Sequence, residues 1–135
     1  MKDAIKLTLP HGKPYDVVVR LVVGGLASRL DLSLEYLEDL QLGLETLLVD
    51  DTFGAGEDVT LELALERGVL EVTIGPLDGK SLETALAPQP AESRQLGLRR
   101  LLEAVVEDVE LERRNGHGWV RLRKQIPGDG PAPPG

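Results

Sequence analysis

The chain has no cysteine among its 135 residues, so neither a disulfide framework nor a thiolate metal site can form. Aromatic residues make up only 3% of the sequence, which argues against the stacking platforms on which proteins bind bases or sugars. The sequence also lacks long apolar runs and the apolar segment of a signal peptide. These absences favour a protein of the reducing cytoplasm without a membrane-spanning helix, and we expect a cytoplasmic location.

Positive charge is scarce as well, since 15 Lys and Arg residues face 23 Asp and Glu residues and the formal net charge is -8. A nucleic-acid-binding protein normally presents a basic face to the phosphates, and binding to an anionic membrane calls for a polybasic run. We therefore expect neither nucleic acid nor membrane as a partner. The length suits one domain with a proper core, predicted over residues 1–126, and the Pro- and Gly-rich tail at residues 127–135 is expected to be disordered.

Two successive helices are predicted in the first half of the chain. The segment Ser33 to Phe53 begins with a plausible N-cap and repeats leucine at helical spacing, at Leu34, Leu37, Leu40, Leu44, Leu47 and Leu48. The segment Pro14 to Leu30 is the other helix, with an apolar side formed by Val17 or Val18, Leu21, Val22, Leu26 and Leu30. Gly24 and Gly25 in its middle cost about 1 kcal/mol each relative to alanine, so we expect a neighbouring element to approach them closely.

Alternating apolar residues predict strands in the remainder. These are Lys2 to Leu9, the hairpin of Val59 to Leu65 with Val69 to Ile74, and the hairpin of Val109 to Arg113 with Trp119 to Lys124. Asn115-Gly116 is the strongest short hairpin signal.

The segment between the two hairpins is harder to assign from its pattern. Gly75 to Glu92 is predicted to be a long loop, with a short helical turn around Ser81 to Leu86, and Ser93 to Val106 a third helix. The resulting fold class is α+β: a two-layer α/β sandwich with three main helices on one face of a mostly antiparallel mixed sheet.

Six short motifs along this order of elements resemble those of one protein family: Arg20-Leu21, Gly25 to Arg29, Glu38-Asp39-Leu40, Leu70-Glu71-Val72, Leu96-Gly97-Leu98 and Glu107-Asp108-Val109. The sequence resembles the bacterial anti-sigma factor kinases, which belong to the GHKL (Bergerat-fold, histidine-kinase-like) ATPases. The resemblance covers nearly the whole chain except the tail. It implies the GHKL type of sandwich, ATP and magnesium as cofactors, and sigma factors or STAS-type anti-anti-sigma proteins as partners.

The signature helix departs from the family pattern at its catalytic position. There the family carries a catalytic Glu and, four residues later, an Asn that holds magnesium, and the matching residues are Thr46 and Asp50. Threonine has no basicity with which to accept the proton of an attacking serine hydroxyl. Asp50 remains a hard oxygen ligand suited to magnesium. Glu45 is adjacent to Thr46, but one residue turns a helical side chain by about 100°.

The two remaining nucleotide motifs of the family are also altered. Pro76 stands where the family has the Asp that reads the adenine amino group, and Asp78-Gly79 follows two residues late. Of the glycine-rich lid that wraps the phosphates, Gly97 remains, followed by Leu98. Asp50, Asp78, Gly79, Gly97 and Leu98 are therefore the candidate residues of a degenerate ATP site.

Three functional hypotheses follow. In the first, the chain is a degenerate anti-sigma factor that binds a sigma factor or a STAS-type protein without phosphorylating it, so no cofactor is expected. In the second, it is an active serine/threonine kinase that uses Glu45 and Asp50 with magnesium and ATP. In the third, the pocket accepts another small ligand, which the sequence does not name. The family also implies a homodimer formed through the sheet edge near the first strand.

Overall fold

The computed structural model describes residues 3–30, 33–87 and 97–125. The strands are β1 (Asp3–Leu9), β2 (Val59–Glu66), β3 (Val69–Leu77), β4 (Asp108–Arg114) and β5 (His117–Gln125), and the helices are α1 (Asp16–Leu30), α2 (Leu34–Val49), α3 (Gly79–Leu86) and α4 (Leu98–Glu103). Short 3-10 turns at Lys13–Tyr15 and Asp51–Phe53 precede α1 and follow α2. None of the helices in these ranges combines the length and hydropathy needed to cross a membrane.

The five described strands form one sheet in the order β1-β2-β3-β5-β4, and each neighbouring pair is antiparallel. Alternate residues of the central strands are buried, which is the expected pattern when one face of a sheet packs on a helical layer. The core positions include Val59, Leu61, Leu63, Leu70, Val72, Ile74, Val120 and Leu122. The predicted two-layer α+β class is therefore confirmed, with α3 as an additional helix in the described part of the chain.

The outer face of the sheet carries charged side chains in rows. Arg121 on β5 lies among three carboxylates, with its guanidinium nitrogens 2.6 Å from Glu112, 3.5 Å from Glu110 and 3.8 Å from Glu71. Cross-strand pairs of this kind stabilise a sheet locally. This charged face of the sheet is therefore in contact with solvent, and the opposite face packs on the core.

Both hairpin turns follow from their sequences. Arg67-Gly68 and Asn115-Gly116 each have positive φ at both residues, which is the geometry of a type I′ turn. The Asn-Gly prediction is confirmed.

The predicted buried side of α1 was wrong at Val17 and Leu21, which are more than half exposed, and is confirmed at Val22, which packs against the core. Val19 and Val23 are the fully buried residues of α1 among the side chains that the structure describes. Valine and leucine occupy nearly every position of the first two turns of α1, so their spacing alone does not select one face. Leu34 at the start of α2 is also exposed rather than part of the buried stripe.

The expected close approach at Gly24-Gly25 was wrong too. A Cβ atom built on either glycine meets no other atom within 4 Å. The glycine pair therefore faces open space on α1.

The long loop predicted from Gly75 was wrong over much of its length, because this segment forms a strand end and a helix. β3 continues to Leu77, and α3 follows it with Asp78 as its N-cap. The short helical turn expected near Ser81 is thus a full helix, and residues 88–92 lie outside the described ranges. The third predicted helix is confirmed only over Leu98–Glu103, because residues 93–96 also lie outside them and the chain turns toward β4 after Glu103.

Candidate functional site

The C-terminal half of α2 is fixed on the sheet by its leucines and by one glycine. Leu40, Leu44, Leu47 and Leu48 are buried in the core. Gly43 allows α4 to approach closely, since a Cβ atom there would lie 2.8 Å from a methyl group of Leu102. The side chains on the opposite side of α2 are thereby directed away from the core.

An open groove of about 420 Å³ runs along that outer side, lined by Asp16, Leu42, Glu45, Thr46, Val49, Asp50 and Asp51. Three residues singled out from the sequence, Glu45, Thr46 and Asp50, therefore lie together. The groove also receives Asp16 from the start of α1, so it lies beside the contact between the two helices.

Thr46 presents no free hydroxyl proton to this groove. Its Oγ1 donates a hydrogen bond to the carbonyl oxygen of Leu42, one turn earlier, at 2.8 Å. A threonine hydroxyl inside a helix commonly donates to the carbonyl oxygen four residues earlier. The side chain is neutral and turned back on its own backbone, so it offers the groove no proton acceptor of carboxylate strength.

The carboxylate of Glu45 is held by two neighbours. Its Oε1 accepts hydrogen bonds from Arg20 Nε at 2.7 Å and from Gln41 Nε2 at 3.3 Å. Arg20 also lies 3.7 Å from Asp16, and the hydrogen bond and the charge of Glu45 raise the pKa of the Arg20 guanidinium. The ion pair joins α1 to α2 and occupies the Glu45 oxygen that faces Arg20.

Asp50 ends α2 and starts the next turn. Its backbone N–H donates to the Thr46 carbonyl, and its Oδ1 accepts a hydrogen bond from the Thr52 backbone N–H at 2.9 Å. The hydrogen bonds from Thr52 hold the pKa of the Asp50 carboxyl below its usual value. The carboxylate is exposed and charged at neutral pH.

The turn after β1 fastens the end of α2. His11 Nε2 lies 2.9 Å from the Leu47 carbonyl oxygen, and the Gly12 N–H donates to the Leu48 carbonyl oxygen. Carbonyls in the last turn of a helix have no partner within the helix. This role of His11 could not be predicted from the sequence, because the pairing joins residues 36 positions apart.

Asp78 lies beside the 3-10 turn that follows α2 but directs its carboxylate to its own helix. Its backbone N–H donates to the Phe53 carbonyl oxygen, while its Oδ2 accepts hydrogen bonds from the Ser81 N–H at 3.1 Å and the Ser81 hydroxyl at 2.5 Å. These bonds hold the pKa of Asp78 below its usual value. Asp78 is thus the N-cap of α3, a position at which Asp is strongly preferred.

Pro76, Gly79, Gly97 and Leu98 do not line the groove formed by the described residues. Pro76 lies near the end of β3, and Gly79 is buried beneath the guanidinium of Arg113. Gly97 precedes α4 without a side-chain cap, and Leu98 packs against the core. Among the described residues, no group of three or more His, Cys, Asp or Glu side chains is arranged to hold a metal ion.

No family model matches the chain. Among characterised proteins, the serine-protein kinase RsbW of Listeria monocytogenes serotype 4a (strain HCC23) is 30% identical over 123 residues, which cover 87% of this chain and 72% of the relative. The chain belongs to the RsbW family. The RsbW of Listeria innocua serovar 6a is 30% identical over the same length, and that of L. monocytogenes serovar 1/2a is 29% identical over 126 residues, covering 82% of this chain and 80% of the relative. RsbW membership confirms the anti-sigma factor kinase resemblance indicated by the sequence motifs.

Proposed function

We propose that this chain is a regulator of the anti-sigma type that binds a sigma factor or a STAS-type anti-anti-sigma protein without transferring a phosphoryl group. Membership in the RsbW family supports the class of partner. The observation that carries the loss of kinase activity is Thr46, which lines the groove at the position of the family's catalytic Glu, with its hydroxyl bonded to Leu42. A phosphoryl acceptor serine would find no general base at that position.

The residues present also fit a nucleotide poorly. Pro76 has neither a carboxylate nor an N–H with which to read adenine, and the Asp78 carboxylate is engaged by Ser81. Asp50 fits magnesium as a single exposed oxygen ligand, but a bound Mg²⁺ usually relies on carboxylates together with substrate phosphates. We infer that ATP affinity is largely lost, and no step of the proposed function depends on ATP.

The test combines partner binding with a search for phosphorylation. The purified chain is mixed with a sigma factor or a STAS-domain protein from the same organism, with and without magnesium-ATP. We expect a complex that co-elutes equally well in both conditions and no phosphoserine on the STAS protein by mass spectrometry. Phosphoserine formed by the purified chain would overturn the proposal.

Calorimetric titration with magnesium-ATP and magnesium-ADP measures the nucleotide site directly. A ligand at 100 times its dissociation constant would add about 2.7 kcal/mol to the free energy of unfolding. We expect neither heat nor a thermal shift.

A second candidate function is an active kinase that uses Glu45 and Asp50. It is favoured by the position of both residues in one groove. Because Arg20 and Gln41 both donate to Oε1 of Glu45, the other carboxylate oxygen, Oε2, would have to accept the proton of the substrate hydroxyl. If phosphorylation is found, Glu45→Gln and Asp50→Ala must each abolish it for this mechanism to hold.

We also propose that the chain forms a homodimer through β1. The support is that β1 is the end strand of the sheet and that Ile5 on it is partly exposed. An unpaired edge of this kind is a ready template for a second strand. Sedimentation equilibrium should give twice the chain mass for the native protein and a monomer for Ile5→Lys.

A further inference from the structure

Exposed large apolar side chains are concentrated on the two long helices. Of the five in the described residues, four lie on α1 and α2: Val17, Leu21, Leu34 and Leu42. Leu21 is 71% exposed, Val17 56% and Leu42 51%. Single apolar residues on a surface are ordinary, but a contiguous set is typical of a binding surface.

Three of these side chains belong to one part of the helix pair. Val17 and Leu21 are one turn apart on α1, on either side of Arg20 in sequence, and Leu42 lies one turn before Glu45 on α2. The Arg20–Glu45 ion pair at 2.7 Å holds these turns side by side. We call the region formed by Val17, Leu21, Gly24 and Leu42 the α1–α2 surface.

Gly24 adds room for a close approach. It follows Leu21 by three residues, is exposed, and a Cβ atom there would meet nothing within 4 Å. Glycine inside a helix is unfavourable relative to alanine. No close packing against Gly24 within the described part of the chain compensates for this cost. A backbone from another molecule can approach α1 at this point more closely than at a residue with a side chain.

The surface is bordered by acidic side chains. The segment from Ser33 to Phe53 holds six acidic residues and no Lys or Arg, and five of the acidic side chains are exposed: Glu35, Glu38, Asp39, Asp50 and Asp51. Glu38 lies one turn before Leu42 on the same face of α2. Arg20 is already paired with Glu45 and Asp16. The complementary partner is therefore basic around an apolar centre.

The same charges disfavour a second copy of the chain as the occupant. Two identical surfaces meeting about a two-fold axis would bring the acidic side chains of α2 toward one another. Like charges opposed across an interface oppose association.

We propose that the α1–α2 surface binds a basic amphipathic helix of a partner protein. The apolar stripe of that helix lies over Val17, Leu21 and Leu42, and its flanking Lys and Arg side chains face Glu38 and the neighbouring carboxylates. An apolar stripe at helical spacing is the usual way in which a helix docks on such a surface. The inference rests on the proposed function, since it names the chemistry of the partner segment that the regulator recognises.

The experiment selects helical peptides against the full chain from a display library. The library has an apolar stripe, and its flanking positions are mixtures of Lys, Arg, Asp and Glu. We expect enrichment of Lys and Arg at the flanks. A synthetic peptide of the enriched sequence should then bind in fluorescence anisotropy, with an affinity that falls as salt is raised.

Matched variants locate the binding site. Leu21→Ser should weaken the peptide affinity about tenfold, as expected for an apolar anchor, whereas Ala87→Ser, at an exposed apolar residue after α3, should leave it unchanged. Glu38→Lys should weaken it several-fold, while Glu66→Lys, on the outer face of the sheet, should not. Gly24→Leu should raise the thermal midpoint of the chain and still weaken peptide binding.

Several results would overturn the inference. The first is a peptide selection without charge bias or with acidic flanks. The second is an equal loss of peptide affinity in the test and control variants. The third is a self-association of the chain that Leu21→Ser abolishes. A sigma-factor or STAS complex that survives Leu21→Ser and Glu38→Lys would overturn the inference and leave the proposed function standing.

Discussion

The imidazole of His11 links the turn after β1 to the last turn of α2. His11→Ala removes the hydrogen bond to the Leu47 carbonyl and leaves that carbonyl without its partner. We expect the free energy of unfolding to fall by about 1 kcal/mol, measured by urea denaturation. His117→Ala is the control, because the partner of the His117 ring within the described ranges is the exposed carboxylate of Glu57, and its loss should cost less than about 0.5 kcal/mol. Equal losses would contradict the role assigned to His11.

Asp78 gives the chain a dependence on pH at the start of α3. Its pKa is lower in the folded chain than in the unfolded chain because the Ser81 hydroxyl and N–H bind the carboxylate. The contribution of this carboxylate to the free energy of unfolding is fully present above the pKa of Asp in the unfolded chain, about 3.9. It is lost as the pH falls through the lower pKa of Asp78 in the folded chain. We expect Asp78→Asn to have a lower thermal midpoint than the native chain at pH 7, and the difference to narrow by pH 3.

Ser81→Ala, which removes the hydroxyl donor, tests the cause of that dependence. Like Asp78→Asn, Ser81→Ala should make the thermal midpoint of the chain less dependent on pH between pH 7 and pH 3. A constant difference between the native chain and Asp78→Asn from pH 7 to pH 3 would rule out this linkage.

At the level of single residues, the sequence did not predict the contacts that the candidate side chains make. That Thr46 and Pro76 stand in the place of the family's carboxylates stays a prediction, because it rests on the side chain and its position in a motif. The engagement of Glu45 by Arg20 could not be predicted, since α1 and α2 meet through tertiary packing. Asp78 was considered for adenine, although Asp is also one of the preferred residues at a helix N-cap.

At the level of elements, two glycines have opposite environments. A Cβ atom on Gly75 in β3 would lie 2.3 Å from the Trp119 ring, whereas one on Gly24 in α1 meets nothing within 4 Å. Gly75→Ala should therefore lower the free energy of unfolding by about 1–3 kcal/mol through overpacking. Gly24→Ala should raise it by about 1 kcal/mol. Chemical denaturation of both variants measures the sign of each change in the free energy of unfolding. An unchanged free energy of unfolding for Gly75→Ala would show that the Trp119 indole moves aside.

The elements whose pattern has a single period were predicted most accurately. The β2–β3 and β4–β5 hairpins alternate cleanly, and α2 carries the predicted serine N-cap, with the Tyr36 N–H donating to Ser33 Oγ. The buried side of α1 was predicted correctly at Val22 but not at Val17 and Leu21, because apolar residues occupy almost every position of its first two turns. α3 was only partly anticipated, because its proline- and glycine-rich surroundings obscured an eight-residue amphipathic stretch.

For the whole molecule, the order of elements was enough to predict a two-layer α+β fold. Antiparallel hairpins and a helix pair leave few ways to bury one face of a five-stranded sheet. The extent of the domain, residues 1–126, stays a prediction. Removing residues 127–135 should leave the thermal midpoint unchanged within about 1 °C, since such a segment cannot bury apolar surface. A midpoint several degrees lower would mean that the tail contributes to the fold.

The bond from the Gly12 N–H to the Leu48 carbonyl gives the molecule a built-in reporter. Gly12 is buried, so its amide proton exchanges with solvent only when this contact opens. Its exchange rate therefore measures how often the last turn of α2 separates from the turn after β1. A single amide resonance, followed in deuterated buffer, thus records events at the groove end of α2 from a residue that does not line the groove.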